Sequence, residues 1–85
     1  MNLIKEGDTL VWNISNGDSF ILLVVKAPSV INEAYDGVYR MIALYVPPRF
    51  LDSHKTGCEI METSKFLHEN LSYHPNVIYT WYIIN

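Results

Sequence analysis

The residues of this chain that could do chemistry are three histidines, one cysteine and a scatter of carboxylates. His54 and Cys58 stand four apart, and His68 and His74 six apart. Together they are four ligands of the type that hold zinc tetrahedrally. The spacing has no Cys-x-x-Cys pair or knuckle, so no metal is expected. Asp52, Ser53 and His54 adjoin in sequence, but a nucleophilic triad is assembled in space, and no Gly-x-Ser-x-Gly elbow is present. Cys58 with a histidine is the other candidate nucleophile, and one short loop is a poor frame for it. Glu59 and Glu62 fall on opposite faces of a strand, and Glu33 and Asp36 flank a turn, so neither pair is set for acid–base work. The four glycines are isolated, which excludes a phosphate cradle. The expectation is a non-enzyme that needs no cofactor.

The bulk composition agrees. Eighty-five residues allow one domain over residues 1–85, with a single modest core. Hydrophobic residues make up 49% and charged residues only 18%, which argues against disorder. The formal net charge is −3, and the six cations Lys5, Lys26, Arg40, Arg49, Lys55 and Lys65 form no stripe, which counts against a phosphate-backbone binder. A single thiol makes no internal disulfide. The first residues do not read as a secretory leader, and the longest uninterrupted apolar run is six residues, against about twenty for a membrane span. A cytoplasmic location is expected.

Strand chemistry dominates. In residues 9–14, Leu10, Trp12 and Ile14 share a face. Asn16-Gly17 is a hairpin signal. Residues 20–25 are apolar on both faces and predict a central strand covered twice. Residues 30–35 predict a weaker strand, with Asp36-Gly37 as its turn. Residues 38–46 predict the longest strand, with Tyr39, Met41, Ala43 and Tyr45 on one face, stopped by Pro47-Pro48. After a polar loop, residues 58–62 predict a short strand. Thr63 or Ser64 can cap a helical turn over residues 65–71. His74-Pro75-Asn76 is a turn, and residues 77–84 predict the last strand. The whole predicts an all-β fold: a small barrel of five to six strands, with one short helical turn before the last.

Two stretches carry a resemblance. Lys5-Glu6-Gly7-Asp8-Thr9-Leu10-Val11-Trp12 places a Gly-Asp step before an apolar strand with Trp. Glu62-Thr63-Ser64-Lys65-Phe66-Leu67-His68-Glu69-Asn70-Leu71 passes a short strand into a Ser-x-Phe/Leu turn. In these features the chain resembles the small SH3-like barrel proteins encoded by bacteriophages as accessory genes. The resemblance implies a binding module rather than an enzyme, acting in the host cytoplasm.

The apolar content exceeds what one barrel interior can hold. Ile78, Thr80, Tyr82 and Ile84 would lie outside if Val77, Tyr79, Trp81 and Ile83 point in. Either the helix over residues 64–71 or the loop over residues 49–51 covers that face internally, or it is an interface; on the second reading the expected function is protein interaction: occlusion of a host protein, with self-association through exposed strand faces. The expected contact residues are Tyr39, Met41, Tyr45, Ile78, Tyr82 and Ile84. The alternative is a nucleic-acid-associated barrel with a structural or regulatory role.

Overall fold

A computed structural model describes residues 4–15, 17–28, 37–72 and 80–84. Within them the chain is mostly β. The strands are β1 (Thr9–Ser15), β2 (Asp18–Lys26), β3 (Val38–Tyr45), β4 (Glu59–Thr63) and β5 (Thr80–Ile83). A 3-10 turn spans Pro48–Phe50, and one short helix, α1 (Ser64–Glu69), precedes β5. The expected strand over residues 30–35, the His74-Pro75-Asn76 turn, and positions 77–79 of the last strand lie outside the described residues.

All strand pairs are antiparallel, in the order β4-β3-β2-β1-β5. The doubly apolar run of β2 is thus the central strand, as its composition predicts. The first and last strands pair with each other, and among the described residues β4 and β5 remain edges. The sheet is not closed into a barrel.

The start of the sheet is set by a turn over Lys5 to Asp8. The Asp8 N–H donates to the Lys5 carbonyl (3.1 Å), and Gly7 has φ +93°, a conformation that a side chain disfavours. The Asp8 carboxylate accepts the Lys5 N–H (2.9 Å), which supplies a partner for this buried acid. At the same end of the sheet, just past the close of β2, Gly37 (φ +125°) lies against Pro28. A Cβ there would stand 2.8 Å from the proline's own Cβ, so only glycine fits.

One face of the sheet carries the core. Leu10, Phe20, Leu22, Val24, Tyr39, Met41, Ala43 and Trp81 are buried there. α1 is too short to persist alone and is held by three devices. The Thr63 hydroxyl caps it by accepting the Phe66 N–H (3.1 Å). Leu67 is buried in the core. The Trp81 indole N–H donates to the Leu67 carbonyl, and the Ser72 N–H donates to the Trp81 carbonyl (2.9 Å). The helix is thereby tied to β5 on the inner face of the sheet.

Two predictions follow from this core. Trp81→Phe removes the indole N–H, so the Leu67 carbonyl keeps only the longer bond from the Asn70 N–H (3.3 Å), and urea denaturation should show a loss of about 1–3 kcal/mol. The second concerns Tyr39, whose hydroxyl is buried and points to the Ile4 carbonyl oxygen (3.5 Å). Burial raises its pKa above the ordinary 10.0; a Ser64 hydrogen bond opposes this, and Asp8 adds to it. The unfolded chain then loses this proton first. The stabilisation is whole below about pH 10 and is lost as pH rises through the folded-state value. Urea midpoints measured from about pH 8 to 11 should therefore fall less steeply for Tyr39→Phe than for the parent.

Candidate interaction surface

Strand pairing places side chains in rows across the sheet. Tyr82, Val11, Ile21 and Tyr45 are successive partners on β5, β1, β2 and β3, and form one row on the outer face. Thr9, Leu23, Ile42 and Glu59 form the next. A polar row of Thr80, Asn13 and Ser19 borders them on one side, where the Ser19 hydroxyl donates to Asn13 Oδ1 (2.7 Å). On the other side lie Lys26 and Arg40, whose guanidinium meets the Glu59 carboxylate at 2.7 Å. That carboxylate holds Arg40 more firmly protonated than usual. An apolar band thus crosses four strands, bordered by polar residues except on β4, where Met61 partners Arg40 and is 60% exposed. The described helix and 3-10 turn both pack on the opposite, inner face. No described helix or turn lies on the outer face of β2; Val11 is nonetheless buried there and Ile21 and Leu23 are half-buried, while Val25 is 43% exposed.

The six expected contact residues separate. Tyr39 and Met41 are 0% and 1% exposed and belong to the core, so they cannot meet a partner in the folded domain. Tyr45 was expected to share their face and does not. Ile21 pairs with Tyr45 and Leu22 with Ala43, so Leu44 is an extra residue in the ladder. This bulge reverses the alternation, and Tyr45 turns to the outer face, 48% exposed. Tyr82 is half-buried in the outer row, and Ile84, beside β5, is 51% exposed. Ile78 lies outside the described residues. Sequence reasoning passed over Ile21, Leu23 and Ile42 as contact residues. Their signal was the doubly apolar run itself, which shows an apolar second face without saying what covers it.

The candidate chemical residues do not converge. Among the described residues no group of three His, Cys, Asp or Glu side chains could hold a metal. Cys58 is half-buried at the core margin. His54 is edge-on to Phe20, with ring centroids 5.6 Å apart, and its Nδ1 is 3.0 Å from the Ser53 hydroxyl. His68 Nδ1 is 2.8 Å from the Ser64 carbonyl, which can only accept, so this nitrogen carries the proton. His74 lies outside the described residues. No described helix is long and apolar enough to cross a membrane.

Two concavities flank the core. One is an open groove of about 880 Å³ lined by Lys5, Glu6, Lys26, Val38, Arg40 and Met61. The other is a cleft of about 250 Å³ on the inner face, between α1 and the 3-10 turn. No protein-family model, curated protein or solved structure matches the chain.

The separation of the two tyrosine environments is measurable. Tyr45→Ser should change unfolding free energy by no more than about 0.5 kcal/mol. Met41→Ala, on the inner face three positions before the bulged Leu44, should cost about 2–5 kcal/mol.

Proposed function

We propose that the chain is a non-enzymatic protein-interaction module and that the outer face of its sheet is the surface it uses. The observation that carries this reading is the apolar band, in which Ile21, Leu23, Ile42, Tyr45 and Tyr82 lie together, bordered by polar residues except at Met61 on β4. Contiguous apolar surface rimmed by polar groups is how interaction sites differ from ordinary protein surface. Tyrosine adds large contact area at low entropy cost. The simplest occupant is a second copy of the chain, since an apolar face meets its own chemistry across a two-fold axis. A small accessory protein that occludes a host factor, as the resemblance to phage barrels suggests, would use the same face.

The finer fold reading is an SH3-like arrangement left open between β4 and β5. Its support is the meander of β1 to β4, the helical turn, and the return of β5 to pair with β1. A nucleic-acid role has one observation in its favour: three cations, Lys5, Lys26 and Arg40, line the open groove. Glu6 lines it too, and Glu59 already takes Arg40, so the groove offers a phosphate backbone little net charge.

Sedimentation velocity tests the leading reading. The parent domain should sediment as a concentration-dependent dimer, and Ile21→Glu and Tyr45→Glu should each give folded monomer. High salt should leave the parent's association intact, whereas phosphate binding would weaken steeply with salt. A parent that stays monomeric at all concentrations contradicts the self-association on which this reading is tested.

A further inference from the structure

The cleft on the inner face is a second site, independent of the outer band. Its floor is aliphatic, formed by Leu22, Met41, Ile60 and Leu67. Its walls are aromatic. Trp12 and Phe66 stand at one side with centroids 5.2 Å apart, and Phe20 and Phe50 at the other with centroids 5.5 Å apart. Trp12, Phe50 and Phe66 are only half-buried, so they frame the cleft without closing it.

Two polar side chains interrupt this apolar lining: His54, edge-on to Phe20 with its Nδ1 at the Ser53 hydroxyl, and the carboxylate of Glu62. Glu62 pairs with Tyr39 across β3 and β4, and so lies on the inner side of the sheet. It lines the cleft and is half-buried. One of its oxygens accepts the Thr63 N–H (3.1 Å), and no described Lys or Arg pairs with it. The cleft therefore offers an apolar, ring-lined volume with a negative charge at its margin, in a chain whose net charge is −3. A cavity of about 150 Å³ holds benzene, so about 250 Å³ accepts one aromatic ring and a short tether.

We propose that this cleft binds a small aromatic amine, its ring among Trp12, Phe20 and Phe66 and its ammonium on Glu62. The aromatic walls favour a cation as well as a ring, because ring faces carry negative potential. A plain hydrocarbon would leave the carboxylate unused, and an aromatic acid would meet it with like charge.

The test is an NMR titration of the full 85-residue chain with three probes that share one ring: phenethylamine, toluene and phenylacetate. Phenethylamine should shift the Trp12 indole and the Ile60 and Leu67 methyls, and bind about fivefold or more tightly than phenylacetate. Glu62→Gln should reduce that preference to about twofold or less. A carboxylate that only guards the edge strand β4 against pairing would give equal affinities for all three probes. Equal affinities, no binding of the amine, or shifts that map outside the cleft overturn the proposal. The comparison within the parent chain stands even if a variant fails to fold.

Discussion

Each strand of an antiparallel sheet presents side chains to two faces, and one interior can absorb only one of them. Here the described covering elements are a six-residue helix and a three-residue 3-10 turn, both laid on the same side. The rest of the structure depends on this imbalance. The inner face becomes the core, with Trp81, Tyr39 and Leu22 among its buried members. The outer face keeps a band that is apolar by sequence, with Val11 buried, Ile21, Leu23, Ile42 and Tyr82 half-buried and Tyr45 exposed.

Backbone irregularities decide which residues go where. Ladder pairing slips by one residue in β1 at Ile14, in β2 at Val25 and in β3 at Leu44. Each slip exchanges inside for outside along the remainder of its strand. Period-two reading located the strands, the central place of residues 20–25 and the capped turn before the last strand. It also gave Trp81 inward and Tyr82 outward correctly. It failed where a bulge intervened: Tyr45 was grouped with Tyr39 and Met41, which are core residues. Bulges leave no periodic mark in a single sequence, because they arise from cross-strand fit rather than from local preference. Which of two apolar faces would be covered was equally illegible. That choice is made by α1, whose place is fixed by the long-range bond between the Trp81 indole and the Leu67 carbonyl.

The open edges also shape the chemistry. A closed barrel would fill its interior with side chains. With β4 and β5 not paired to each other among the described residues, α1 bridges part of the gap and leaves a ring-lined cleft beside Glu62. None of its aromatics was singled out as a site residue, since Trp12, Phe20, Phe50 and Phe66 come from four separate segments. Among the described residues, the histidines take part in packing and local hydrogen bonds, and Cys58 is half-buried at the core margin. His54 lies against Phe20 and His68 bonds within α1.

The central claim is that the outer apolar face, and not the inner one, meets another copy of the chain. Methyl NMR shifts followed as a function of the domain's own concentration localise that contact directly. The expected result is progressive shifts for Ile21, Leu23 and Ile42, with Leu22, Val24 and Leu67 unchanged. Shifts confined to the inner-face methyls, or none in the outer band at any concentration, would contradict it.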